Sequence, residues 1–380
     1  MRIAVVGAGP AGLLFSLLAK RRFPAWQVEV VEQNPPEATF GFGVVFSQGA
    51  LAFLERDVPE LQRELGARME RWPMQRIVHR DERIDIDGNG FSAISRLALN
   101  RFLQALCEKS GVKITYGKAL TRLDELDSPD LIVGADGVNS MLRRARERRF
   151  APHVRWLTNK FAWYGTARRF DCLTLTFREN ADGSFVAHHY RYAPDMSTFI
   201  VECDAGSWRR AGFERMSDAE SRAYCERVFA ADLGGQPLVS NKSVWRQFPL
   251  LACRRWSADN AVLIGDALHT VHFSIGSGTR LAFEDAIALE RALAEAGEDV
   301  PAALAAFERE RRPVAEKLLH AASLSSYWYE DFVSKLALEP WQLAYDYMMR
   351  SGRMSDERLR ETAPQFMRSV ERARARGAAP

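Results

Sequence analysis

The chain has 380 residues, long enough for two or three domains sharing one large core. Its 52 Lys and Arg residues exceed its 49 Asp and Glu residues by only three, so overall charge points to no nucleic-acid or membrane partner. The five cysteines, Cys107, Cys172, Cys203, Cys225 and Cys253, form no CxxC pair, which leaves no visible metal site or disulfide framework.

The first strand begins at Ile3, leaving no room for a leader peptide, and no apolar run reaches 18 residues; a soluble, cytoplasmic protein is expected. That strand breaks into Gly7-Ala8-Gly9-Pro10-Ala11-Gly12 and then an apolar helix. Gly7 permits the tight turn, Gly9 close approach to a pyrophosphate, and Gly12 contact between helix and strand, while the helix start offers free N–H groups to phosphate. Twenty residues after Gly12, Val28 to Glu32 reads as a second strand ending in a carboxylate suited to a ribose hydroxyl. Strand, turn, helix, strand and carboxylate together predict dinucleotide binding, with Ala11 and Gln33 flanking the ligand.

Gln33 to Ser47, rich in Pro, Gly and Phe, is expected to be an irregular active-site loop. Ser95-Arg96 starts a helix carrying Leu99, Phe102, Leu103 and Leu106, closed by Gly111. Val112 to Tyr116 and Leu131 to Val133 follow as strands, the latter running into Asp136-Gly137 with Ser140 and Arg143 on the next turn. Arg143 to Arg149 otherwise reads as a solvated helix face, with a clamp on ligand phosphates as the alternative. From about 160 to 203 the pattern turns β-rich, at Leu173 to Phe177, Ser184 to Tyr192 and Ser197 to Cys203. Residues 217 to 234 read as a helix and Asn260 to Asp266 as a strand returning to the first domain. There Gly265 allows close approach, Asp266 faces a polyol, and Gly276-Ser277-Gly278-Thr279 opens a helix toward the ligand. The remainder, from about 279 to 375, is helical by pattern and aromatic around Tyr327, Trp328, Tyr329, Trp341, Tyr345 and Tyr347, which read as core or subunit contact with a ligand channel as the alternative.

The glycine motif at 7 to 12, Asp136-Gly137 with Ser140 and Arg143, and Gly265-Asp266 with His269 and Gly276-x-Gly278, in this order, resemble the flavoprotein aromatic hydroxylases. The resemblance implies an α/β fold: a Rossmann-like FAD-binding domain of the p-hydroxybenzoate hydroxylase type (1–72, 95–150 and 245–300), an inserted antiparallel-sheet substrate domain (73–94 and 151–244) and C-terminal helices (301–380). It implies FAD, with Glu32 on the adenosine ribose, Arg96 near the pyrophosphate, Asp266 on the ribityl chain, and the Gly276–Gly278 backbone beside the flavin. The chain departs from the family in Phe273 and Arg280, where Pro and Asn are usual.

His272 to Thr279, Phe40 to Ser47, Asn159-Lys160-Phe161 and Ser197 to Cys203 narrow the resemblance to the salicylyl-CoA and anthraniloyl-CoA hydroxylases. A more distant likeness is to the violacein-pathway tryptophan hydroxylase. The expected reaction is hydroxylation of an aromatic ring through a flavin C4a-hydroperoxide, with O2 and a transient NADH or NADPH, on a coenzyme A thioester. A free indole or phenolic substrate is the alternative; a flavin reductase that never uses O2, or a flavin-binding regulatory module, are others. No nucleophile, triad or metal is expected. The pocket candidates are His269 and Phe273 beside the flavin, His188, Tyr190 and Tyr192 on one face of a strand, and Phe42 and Phe46 on the first loop. His188 and Tyr190 could instead face the core, and His269 could simply bond backbone at the flavin edge.

Overall fold

The computed structural model describes residues 1–39, 41–47 and 49–377; Phe40 lies outside them. Two large sheets organise the chain. In the first, five parallel strands run in the order Ala261–Leu263, Leu131–Gly134, Arg2–Val6, Gln27–Val31 and Lys113–Thr115, with Ser257–Ala258 added antiparallel at one edge. Near-continuous burial of Ile3 to Val6 and Leu131 to Gly134 is what a parallel sheet covered on both faces demands. The helices Pro10–Arg22, Arg96–Lys109 and Gly278–Ala296 belong to this domain, and their apolar sides join its core. Ser95 caps the second of these, accepting a bond from the Ala98 amide, as its position before the apolar run predicts.

The second sheet has eight strands, in the order Leu238–Val239, Lys160–Thr166, Met196–Cys203, Gly183–Ala193, Leu173–Asn180, Glu70–His79, Glu82–Ser95 and Gly43–Ser47. It is antiparallel throughout except where Leu173–Asn180 lies parallel to Glu70–His79. Part of the expected loop is thus ordered as a strand: Gly43–Ser47 pairs with Phe91 to Ser95, and the Val44-Val45-Phe46 run suits it. The expected helix over 217–234 breaks at Phe229 into Asp218–Val228 and Ala230–Leu233.

Both faces of this sheet are covered. One packs against Tyr224, Phe229 and Leu233 of the 218–233 helices, the other against Trp328, Tyr329, Phe332, Tyr347 and Phe366 of the C-terminal helices. The longest of these helices, Val300–Glu330, and its neighbours Pro340–Met349 and Pro364–Gly377 therefore roof the sheet. No helix among the described residues is long and apolar enough to cross a membrane, and all five cysteines are buried free thiols.

Candidate active site

A cavity of about 690 Å³ lies between the two sheets, at the carboxyl ends of the parallel strands, where such folds bind ligands. One end is built from the turn after the first strand. Gly7 adopts φ +103°, and a Cβ there would sit 2.4 Å from the Ala135 carbonyl oxygen; one on Gly12 would sit 2.1 Å from that of Gly7. Only glycine lets these segments meet, and the helix Pro10–Arg22 therefore presents its N-terminus to the cavity through Gly9, Pro10 and Ala11. Glu32 lies beside them. One carboxylate oxygen accepts from the Ala8 amide at 2.8 Å, the other from the Asn34 amide and side chain at 2.8 and 2.7 Å. Gln33 also lines this end.

Six polar atoms of cavity-lining residues are buried with no partner: Thr39 Oγ1, Arg96 Nε, Asn100 Oδ1, Tyr116 OH, Asp136 Oδ1 and Trp163 Nε1. Orphaned groups at this density mark a surface shaped for a polar ligand, since each otherwise costs about 1–3 kcal/mol. Arg96 lies over the Trp163 ring at 5.7 Å, and neither its guanidinium nor the Asp266 carboxylate has a hydrogen-bond partner among the described residues. Asp266 is open to the cavity, yet protein encloses it; burial raises its pKa, partly offset by Arg96 and His269. Burial likewise raises Asp136, against the bonds it accepts from the Ser140–Leu142 turn. Gly276, Ser277, Gly278 and Thr279 complete this region, where the helix Gly278–Ala296 starts with no acidic residue in its first turn.

The other end is aromatic. Leu175, His188, Ile200 and Trp163 are cross-strand neighbours on four adjacent strands and form one row of the wall. Leu173, Tyr190, Phe91, Phe248, Phe273 and Tyr347 close around it. Tyr190 donates its hydroxyl to the Gly43 carbonyl at 3.0 Å, so it offers the cavity its ring. Gln75 donates to the Tyr347 hydroxyl at 2.8 Å, and Phe273 meets His188 edge-on at 5.2 Å.

Of the residues singled out in the sequence, Gly7, Gly9, Ala11, Glu32, Gln33, Arg96, Asp136, Asp266, Gly276, Gly278, Thr279, His188, Tyr190 and Phe273 converge on this cavity. Others stand off it, each for a visible reason. Gly12 is spent on helix packing against the Gly7 carbonyl. Arg143 turns away to donate to the Ala267 carbonyl at 2.7 Å and to that of Val138, tying the two strand-end turns together. His269 is buried beneath the site, bonded at 2.7 Å to Asp285, which also accepts from the Gly265 amide at 3.0 Å and Arg311 at 2.9 Å. Gly265 and His269 therefore hold the turn that presents Asp266. Phe46 points into the core of the first domain, Phe42 packs on Gly165, and Tyr192 on Gly43.

Lining residues to which the sequence assigned no site role include Trp163, Phe248, Tyr116 and Lys118, while Arg144 and Tyr347 bring the basic run and the aromatic C-terminal helices to the cavity. Asn100 and Gln104 were within reach: with Arg96 they repeat every four residues, a polar stripe beside the apolar positions that announced the helix.

Residues 108–322 match a family model described as an FAD binding domain. The chain is 39% identical over 361 residues to a salicyloyl-CoA 5-hydroxylase of a Streptomyces species, covering 92% of this chain and 70% of that one. It is 35% identical over 356 residues to 3-hydroxy-4-methyl-anthranilyl-(aryl-carrier protein) 5-monooxygenase of Streptosporangium sibiricum, covering 93% and 95%. It is also 35% identical over 364 residues to protodeoxyviolaceinate monooxygenase of Chromobacterium violaceum, covering 92% and 94%. Among solved structures, 2-methyl-3-hydroxypyridine-5-carboxylic acid oxygenase shares the fold, with a TM-score of 0.72 at 18% identity over 95% of each chain.

Proposed function

The chain belongs to the FAD-dependent aromatic-ring monooxygenases, and from that premise we propose that it hydroxylates an aromatic ring carried as a coenzyme A thioester of the salicyloyl, anthraniloyl or hydroxybenzoyl type. The observation that carries this reading is one continuous cavity with a dinucleotide cradle at one end and a closed aromatic box at the other. The thioester rests on the relatives: the 39% identical hydroxylase is named for a coenzyme A ester and one 35% identical monooxygenase for an aryl-carrier-protein ester. The protodeoxyviolaceinate relative, at the same 35%, keeps an indole-type substrate as the second reading.

The polar end suits FAD. Its unpartnered atoms and the Gly9 approach match a diphosphate and sugar hydroxyls, with Glu32 on the adenosine ribose, Arg96 countering phosphate charge, Asp266 on the ribityl hydroxyls and the Gly276–Thr279 turn beside the flavin. FAD, when bound, supplies the electron transfer and oxygen activation, so that ArH + NAD(P)H + H⁺ + O2 yields ArOH + NAD(P)⁺ + H2O. The protein's part is placement. Phe273, Phe248, Trp163 and Tyr347 hold a flat ring and exclude water. The positive end of the Gly278–Ala296 helix favours negative charge on the neighbouring ring system.

The test offers the FAD-loaded protein NADH or NADPH with the three aryl-CoA esters, their free acids and tryptophan. Turnover with a gain of one oxygen on a coenzyme A ester supports the reading. Turnover on tryptophan or a free acid with the esters inert overturns it.

A further inference from the structure

Behind the aromatic wall lies a buried ionisable pair. His188, which lines the cavity, bonds through Nε2 to Glu202 Oε2 at 3.2 Å. The other Glu202 oxygen, Oε1, accepts from Asn159 Nδ2 at 3.0 Å, and Asn159 is itself anchored by donating to the Tyr329 carbonyl at 2.7 Å. The side chains of Glu202 and His188 are only 2% and 8% exposed. Burial pushes the Glu202 carboxyl up, but His188, His272 and Asn159 outweigh it and hold it below the usual carboxylate range. Around the His188 ring, Tyr329 stacks at 4.9 Å and Phe273 meets it edge-on. Other nearby titratable groups include His272, which burial lowers to about 4, Arg350 beyond it, and Cys203 beside Glu202. His189, the next residue, points to the opposite face, bonded to Thr176.

A carboxylate only accepts, so His188 Nε2 carries a proton; in the neutral imidazole Nδ1 is then the acceptor, and it has no protein partner among the described residues. Of the hydroxyls that line this end, Tyr190 donates to Gly43 and Ser274 pairs with Ser325, while Tyr347 accepts from Gln75; the unpartnered Tyr329 hydroxyl is not part of the lining.

We propose that His188 Nδ1 is the acceptor that reads a hydroxyl or amino hydrogen on the substrate's aromatic ring, and that Glu202 is a positioning residue which fixes this tautomer. The contact both selects a ring bearing a donor and leaves more electron density on the ring substituent that activates its carbons. A ring without the donor leaves Nδ1 unpaired in an apolar box. The ligand class rests on the aryl-ester reading above; the tautomer does not.

Glu202→Gln is the decisive variant. Asn159 keeps the amide oxygen on its own side, so the new NH2 faces His188 Nε2. Nε2 must then accept, and the proton moves to Nδ1, turning an acceptor toward the cavity into a donor. Two readouts are made on the FAD-loaded protein. The first is nitrogen-15 NMR of ring-labelled histidine, with the His188 signal among the seven identified by its loss in His188→Asn. The expected result is protonated Nε2 and bare Nδ1 in the natural protein, exchanged in Glu202→Gln. The second is binding of salicyloyl-CoA against its O-methyl ether, followed by the flavin absorbance. The natural protein should favour the hydroxyl form by about tenfold or more, and Glu202→Gln should abolish or reverse that preference. Protonated Nδ1 in the natural protein, or an unchanged preference in Glu202→Gln, would overturn the proposal. If no aryl-CoA ester perturbs the flavin, the ester reading falls, while the tautomer result still decides the role of the pair.

Discussion

Arg311→Met tests how the Asp266 turn is held. Arg311 donates to Asp285 at 2.9 Å and pairs with Glu284 at 2.8 Å, while Asp285, whose side chain is 0% exposed, fixes both His269 and the Gly265 amide. Met fills a similar volume, so the loss is electrostatic: a fully buried carboxylate is left without its permanent cation. Removing one partner of such a pair costs about 3–5 kcal/mol. With an unfolding entropy of about 2.1 cal/mol/K per residue, 380 residues give about 0.8 kcal/mol/K, so the melting temperature should fall by about 4–6 °C. The double variant Arg311→Met, Asp285→Asn removes the stranded charge and should recover more than half of that loss. Burial alone would raise the Asp285 pKa, but His269 and Arg311 outweigh it and hold it below its ordinary 3.8. Its contribution is therefore present above about pH 4 and lost on further acidification, and this acid-sensitive part should shrink in Arg311→Met. Calorimetry and urea titration of the FAD-free proteins from pH 3 to 8, paired with FAD affinity, provide the readout. A loss under about 1 kcal/mol, or a double variant no more stable than the single one, would refute the account.

Asp266→Asn should have opposite effects on the empty and loaded protein. The raised pKa of Asp266 means that its ionised form is disfavoured on folding at every pH above about 3.8, so the amide should stabilise the FAD-free protein near neutrality and weaken FAD binding, both seen in melts with and without FAD. Gly12→Ala places a Cβ 2.1 Å from the Gly7 carbonyl oxygen and should abolish FAD content, measured as bound flavin per chain. Tyr190→Phe leaves the Gly43 carbonyl without its buried donor and should cost about 1–3 kcal/mol by urea titration while preserving the ring that faces the cavity.

The cofactor end was legible because it is local in sequence. A strand, a glycine turn and a helix start supply Gly7 to Ala11 within a few residues, and the two strand-end aspartates announce themselves in the same way. The aromatic end was only partly legible because it is assembled across strands and over long separations. Leu175, His188, Ile200 and Trp163 meet through register alone, and Tyr347 is held by Gln75, 272 residues away. Alternation along Gly183–Ala193 could not choose the cavity face, since both faces are buried. The register also shifts between Arg191 and Ala193, which separates Tyr192 from the row of His188 and Tyr190. His269 and Arg143 were drawn to the site by motif position, but in three dimensions each is spent on bonds that shape the turns around it.

The most direct test of ring hydroxylation at this cavity is oxygen labelling. With NAD(P)H, an aryl-CoA ester and ¹⁸O2, the product should carry one labelled oxygen on the ring, and none when the label is supplied in water instead. Consumption of NAD(P)H with no labelled product, or label entering from water, would contradict the account.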